Sequence, residues 1–263
     1  MSFSSKAPQL AIWAAAVAFV ACEQKPSKPL AAEAKELAPA SAAQGATKLE
    51  VVPGSSNVTF EMEAELERIS GRAPSSIQGE LFIDQKDVKK STGLVKVDLF
   101  TLTLAQRKRA NKDEQYGEER TVQKQVKDAH TWLQISDDAP PPEREKYRFV
   151  EFKLDEFAEA TPKDLTTASG GERKLTATVR GDFRLHGRVT KKQVKIEATF
   201  KYDGNTLKGV HVRTLEPVAV ALAEHDVKPR KAFDVLADTT LEALGAKVGK
   251  VAQVSFEFDA NAK

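Results

Sequence analysis

Between Leu175 and Tyr202 the chain reads LTATVRGDFRLHGRVTKKQVKIEATFKY, and small or apolar residues hold every second position on both sides of one short break. Leu175, Ala177, Val179, Gly181, Phe183 and Leu185 form the first row, with Thr176, Thr178, Arg180, Asp182 and Arg184 between them. After His186-Gly187 the row resumes as Val194, Ile196, Ala198, Phe200 and Tyr202. A period of two sends each row to one face of a strand. Two long strands joined at a glycine predict an antiparallel hairpin with an apolar inner face. If that face lines a closed barrel, the enclosed space suits an apolar ligand and requires no catalysis.

The same alternation recurs along most of the chain. Val58, Phe60, Met62, Ala64 and Leu66 alternate with Thr59, Glu61, Glu63, Glu65 and Glu67, giving a strand with one acidic face. Ile77, Gly79, Leu81 and Ile83 follow a break at 71–76, and then Val95, Val97 and Leu99. Residues 147–157 form another strand, with Val150, Phe152 and Leu154 on one face. Shorter strands are expected at 207–212 and 218–222, and a final one at 251–258 with Val254, Phe256 and Phe258 inward. Residues 104–131 break the rhythm: they are dense in Arg, Lys, Glu and Gln, with Val122 and Val126 one helical turn apart. They predict an exposed helical excursion anchored near its end by Trp132, Leu133 and Ile135, followed by a proline-rich loop over 137–142. A short late helix is expected over 233–244, ended by Gly245. The whole reads as an all-β chain with minor helix, a single antiparallel β-barrel of eight or nine strands. A β-sandwich is the alternative, because alternation does not distinguish closure from stacking.

The first 48 residues differ from the rest. Residues 10–20 (LAIWAAAVAFV) are an apolar run behind Lys6, the length of a secretory signal core and too short for a membrane span. Phe19-Val20-Ala21-Cys22 resembles a bacterial lipobox, in which the cysteine thiol receives diacylglycerol before cleavage. Residues 1–21 are then a lipoprotein signal peptide and Cys22, the only cysteine, the lipidation site carrying diacylglycerol and palmitate. The alternative is an ordinary signal peptide cut within the alanine run. Two or three acyl chains anchor a protein stably where one does not. Glu23 follows the cysteine instead of Asp, so the expected location is the outer membrane, facing the periplasm. Residues 22–48, rich in Ala, Pro, Lys and Glu, are expected to be a disordered tether, leaving 49–263 as the folded domain.

Several blocks occur in an order that resembles the YceI-like polyisoprenoid-binding family. They are Gly79-Glu80-Leu81-Phe82-Ile83-Asp84, Val95-Lys96-Val97-Asp98-Leu99, Trp132-Leu133, Phe149-Val150-Glu151-Phe152 and the run from Gly181 to Lys191 through His186-Gly187. Glu224-His225-Asp226-Val227 and Pro229-Arg230 extend the likeness toward the end of the chain. The resemblance implies a lipocalin-like barrel holding an isoprenoid chain or similar apolar lipid. An eight-stranded barrel either fills with its own side chains or encloses one small ligand. The inward residues expected to meet such a chain are Phe60, Met62, Leu81, Ile83, Val97, Val150, Phe152, Val179, Phe183, Ile196, Ala198 and Phe200. The bland alternative is that these residues simply fill a core, leaving an interaction protein without a ligand. Small residues at Ala64, Ala177, Gly181 and Ala198 favour a hollow interior. Arg180, Arg184, Arg188 and Lys191 are candidates to meet a polar head, although alternation turns most of them outward.

Other function classes find little support. The 40 basic and 38 acidic residues nearly cancel, so no clustered charge marks a nucleic-acid partner. His130, His186, His211 and His225 are not paired at metal-ligand spacing, so neither a metal nor a cofactor is expected. No nucleophile elbow, P-loop or dinucleotide glycine turn is present. The expectation is a non-enzymatic carrier or sequestering protein of the cell envelope.

Overall fold

The structure, a computed structural model, describes residues 30–121, 123–231, 234–235 and 249–263. The signal peptide, Cys22, Val122 and nearly all of the late helix expected over 233–244 lie outside the described residues. Strands β1 (Ala32–Glu33), β2 (Thr47–Val51), β3 (Asn57–Glu63), β4 (Glu67–Pro74), β5 (Ile77–Ile83), β6 (Thr92–Asp98), β7 (Thr103–Lys108) and β8 (Arg120–Thr121) precede two short helices, α1 (Gln123–Trp132) and α2 (Pro141–Tyr147). Strands β9 (Phe149–Thr161), β10 (Glu172–Leu185), β11 (Arg188–Asp203), β12 (Thr206–Thr214), β13 (Val218–Ala221), β14 (Arg230–Lys231), β15 (Asp234–Val235) and β16 (Val251–Ala262) follow.

Eight strands close a ring in the order β2-β5-β6-β9-β10-β11-β12-β16, with β16 returning to β2. All of these pairings are antiparallel. The expected barrel is the observed architecture, and the sandwich is not. Strands β10 and β11 form the long hairpin that the alternation predicts, paired from Glu172↔Lys201 to Leu185↔Arg188. His186 and Gly187 make its turn with φ of 48° and 71°. A two-residue turn with both φ positive matches the twist of its strands.

A belt of breaks divides the barrel into two halves. Strand β2 continues into β3 across 52–56, β4 into β5 across Ser75-Ser76, β6 into β7 across 99–102, and β12 into β13 across 215–217. The breaks carry turn-forming residues: Pro53-Gly54-Ser55, Ser75-Ser76, Asp98 and Pro217. Asp98 accepts from Phe100 N at 3.0 Å and so caps a tight turn. Ser75 N donates to Ser56 O at 2.8 Å and Asp98 N to Ser76 O at 3.0 Å, which ties neighbouring breaks together. On one side of the belt the eight-stranded ring is complete. On the other, β13, β3, β4, β7 and β8 fan out around the first half of β16, facing the ends of β9, β10 and β11. Among the described residues strand β13 pairs only with β16, so a seam separates it from the first half of β11.

Three expectations need correction. Residues 71–76 are not a break throughout, because Gly71 lies inside β4. A side chain there would overlap the Phe60 ring, so glycine is the residue that lets the ring lie flat across the neighbouring strand. Residues 104–131 are not one helical excursion: Thr103–Lys108 is a strand with Leu104 and Gln106 buried, and only Gln123–Trp132 is helical. Gln106, polar yet on the buried row beside Leu104, hid the short alternation of β7. Within the loop expected over 137–142, α2 already begins at Pro141, since proline suits a first helical turn. Leu133 and Ile135 are buried, as their anchoring role requires.

The expected tether is also shorter than its composition suggests. Residues 30–48 lie along the barrel wall instead of remaining unpacked. Ala32 and Glu33 pair with Val189 and Arg188, and Leu37 is buried. What holds this strap is an ion pair on the outer wall. Arg184 and Glu151, each 1% exposed, lie 3.5 Å apart. Arg184 also donates to the carbonyls of Ala34 (3.0 Å) and Lys146 (2.9 Å). Glu151 accepts from Leu37 N at 2.9 Å and pairs with Lys96 at 2.7 Å. The strap therefore satisfies buried charges that an Ala- and Pro-rich segment gives no hint of. Removing one partner of such a pair strands the other. Arg184→Met is expected to lower stability by about 3 kcal/mol in urea denaturation and to open residues 30–37 to limited proteolysis. Unchanged stability and protection would show that the strap is held by something else.

Candidate functional site

The barrel interior is packed in one half and open in the other. On the complete side of the belt one cluster fills the lumen, including Leu49, Ile83, Leu175, Val179, Ile196, Phe200 and Phe258. Small and large residues face each other across its strands, Leu175 opposite Ala198 and Ala177 opposite Ile196. This complementarity brings the interior to close packing. Ala177 and Ala198 thus accommodate their neighbours and do not leave space, which corrects the expectation drawn from them. On the other side a second cluster, built around Met62, Ile69, Leu102, Leu104, Leu133 and Val220, forms a shell instead of a plug.

Between the two clusters lies a cavity. The centres of water-sized molecules can occupy about 210 Å³ of it, and the whole void, mouth included, is about 1520 Å³. Of its 30 lining residues all but Gln125, Asp128 and Lys192 are apolar. The floor comes from Val58, Ala73, Ile77 and Phe258, where the packed cluster ends. The walls come from β3, β4, β6, β7 and β9 to β11 on one side and from β13 and β16 on the other. Helix α1 crosses the opening and contributes Gln125, Asp128, Ala129 and Trp132. Such a space offers water few partners, and a ligand would be held by area and not by directed bonds.

Six of the twelve residues proposed from alternation line this cavity: Phe60, Met62, Val97, Val150, Phe152 and Phe183. The other six, Leu81, Ile83, Val179, Ile196, Ala198 and Phe200, belong to the packed half and do not line it. Alternation reports which face is inward but not how far along the barrel a residue sits, so it could not separate the two sets. Sequence reasoning missed Ile69 because it falls between the Val58–Glu67 row and the break read over 71–76, and Leu104 and Ala129 because their segment was read as exposed. Trp132 was expected only as an anchor, yet it also lines the void.

The proposed rim cations face elsewhere. Arg180 pairs with Glu156 at 2.9 Å, and Arg184 holds the strap. Arg188 donates to Ala31 O at 3.3 Å. Lys191 binds Asp155 at 2.6 Å and Asp182 at 2.8 Å, bonds that push its pKa up to about 12. Two histidines close the barrel end beside the cavity. His186 contacts His225 O through Nδ1 (3.1 Å) and Gln134 through Nε2 (2.9 Å), and its ring packs against Tyr147 at 4.1 Å. His225 is wholly buried, with Nδ1 3.0 Å from Arg188 O and its ring edge-on to Phe183. Burial pushes its pKa below the usual imidazole value. Among the described residues no group of three or more His, Cys, Asp or Glu could hold a metal ion.

No family profile matches the chain, and no curated protein matches it. Solved structures to which it is similar include the following two. One is a polyisoprenoid binding domain from Saccharophagus degradans implicated in plant cell wall breakdown, 12% identical, with a TM-score of 0.48 over 82% of this chain and 98% of that one. The other is BcnA of Burkholderia cenocepacia, 11% identical, with a TM-score of 0.46 over 80% of this chain and 99% of that one.

Proposed function

We propose that this chain is a non-enzymatic binding protein that holds one long apolar molecule, a polyisoprenoid or a similar lipid, in the open half of its barrel. The observation that carries this reading is the cavity itself, where 27 of 30 lining residues are apolar within an otherwise close-packed barrel. A water-filled void with that lining is costly, and an empty one forfeits dispersion contacts on every wall. A hydrocarbon chain restores those contacts. Each methylene moved from water contributes about 0.8 kcal/mol, so ten supply roughly 8 kcal/mol before the ordering cost of binding. Met62 and the aromatic rings of Phe60, Phe152 and Phe183 give the wall adaptable and flat surfaces for such a chain. The protein acts in the cell envelope as a carrier or a sequestering agent, anchored to the outer membrane through lipid on Cys22.

Organic extraction of the purified protein followed by mass spectrometry is expected to yield a stoichiometric apolar molecule. Repeated empty extracts, together with no binding of added prenyl or alkyl probes, would refute the reading. Ala252 lies on the cavity wall, at the start of β16's inward row. Ala252→Phe is expected to fill part of the void and weaken alkyl binding at least about tenfold, with a stability change within about 3 kcal/mol. Undiminished binding would place the ligand outside the cavity. For the anchor, Cys22→Ala is expected to move the protein from the membrane to the soluble envelope fraction, and unchanged partition would contradict the lipid attachment.

A further inference from the structure

Position 192 interrupts the inward row of β11. Val194, Ile196, Ala198 and Phe200 are buried toward the barrel interior, and two residues earlier the same alternation places Lys192 on that face. Lys192 is the only basic residue lining the cavity among the described residues, and its side chain is 16% exposed. Its ammonium spans the seam between β11 and β13, donating to Ala219 O at 3.0 Å. That carbonyl belongs to a strand that, among the described residues, pairs only with β16.

The charge balance at the cavity favours an anion. Asp128 is already matched by Lys124 at 2.7 Å, one turn back on its own helix. Gln125 is neutral. Among the described residues Lys192 has only a long ion pair, 4.0 Å to Glu224, and its short bond goes to an uncharged carbonyl. A second polar group lies two residues back on the same face of the strand, next to the cavity lining. Thr190 occupies the preceding inward position and faces Phe183, a lining residue, across the hairpin. The Thr190 hydroxyl is buried and has no hydrogen-bond partner among the described residues. Buried polar groups are ordinarily satisfied, so an orphaned hydroxyl two residues from an under-compensated ammonium points to an absent acceptor.

We propose that Lys192 and Thr190 form a head-group subsite at the seam, and that the ligand is a single-tailed amphiphile with an anionic head, a carboxylate or a phosphate. The inference rests on the reading that the cavity holds an apolar tail, and it adds the end at which the molecule is recognised. The tail lies among Phe60, Val97, Val150 and Phe183, and the head reaches the gap between β11 and β13, where the Lys192 ammonium can exchange its bond to the neutral Ala219 carbonyl for one to an anion. Charge-assisted bonds in so apolar a setting discriminate strongly against a neutral head of the same length.

The test is calorimetric binding of dodecanol, dodecanoate and dodecyl phosphate to the purified chain at about pH 8, where both anions are ionised. Each anion is expected to bind at least about tenfold more tightly than the alcohol, and the stronger of the two identifies the head. Lys192→Met, which keeps the stem and removes the charge, is expected to abolish the preference and bring the anions to the affinity that the same variant shows for the alcohol. Glu224→Gln removes the competing carboxylate and is expected to raise anion affinity without altering alcohol binding, which keeps the proposal testable should the lysine variant misfold. A protein that binds dodecanol without preferring either anion overturns the subsite and leaves the apolar cavity standing. A preference that survives Lys192→Met, or no gain in Glu224→Gln, overturns it as well. Failure of all three to bind overturns both the subsite and the cavity reading.

Discussion

Strand β16 is the constraint on which the structure turns. Its last residues pair with β12 on one edge and β2 on the other, closing the ring. Its first residues pair with β13 and β3, which belong to the open half. One strand therefore has to satisfy four partners in a single register. Its inward row of Ala252, Val254, Phe256, Phe258 and Ala260 runs from the cavity wall into the packed core. A slip by one residue would turn that row outward and bring Gln253, Ser255, Glu257 and Asp259 into the lumen. Register here sets closure, core and cavity together.

The division into a filled and a hollow half follows from where the backbone breaks. Below the belt, cross-strand pairs of unequal size meet, and their volumes sum to a solid interior. Above it, the strands splay, β13 leaves β11, and α1 bridges the opening with a single wide side chain, Trp132, directed at the void. The splay removes opposing partners from residues such as Val97, Val150 and Phe183, so their apolar surface faces space and not another side chain. An occupant that restores contact there would bind the folded state alone and stabilise it by mass action. Stability and ligand retention would thus be linked through the same wall. The strap over Arg184 and Glu151 supports this arrangement from outside, because it pins the cavity-proximal ends of β9, β10 and β11 to one another.

Much of the barrel was legible in the sequence because alternation is a direct imprint of a half-buried strand. The Leu175–Tyr202 hairpin and the inward faces of β5, β6, β9 and β16 could be read without a structure. What escaped had physical reasons. Gly71 looks like a breaker, yet it serves the Phe60 ring, a contact made across strands and invisible along the chain. The strap looks disordered because it carries no apolar period, and its order comes from charges more than 100 residues away. The candidate site was half legible for a similar reason: alternation marks the inner face, whereas the belt that separates Phe183 from Val179 is written in turn residues on four other strands. Lys192 was present in the pattern as a charge at an inward position, but its meaning needed the seam.

The division of the barrel is most directly tested by a crystal structure of the protein soaked with a bromine-tipped alkane, with data collected at the bromine edge. The account predicts anomalous peaks only in the space enclosed by Phe60, Val97, Val150 and Phe183, and none among Leu175, Ile196 and Phe200. Bromine within the latter set, or side chains collapsed into the former with no bromine anywhere in the lumen, would contradict it.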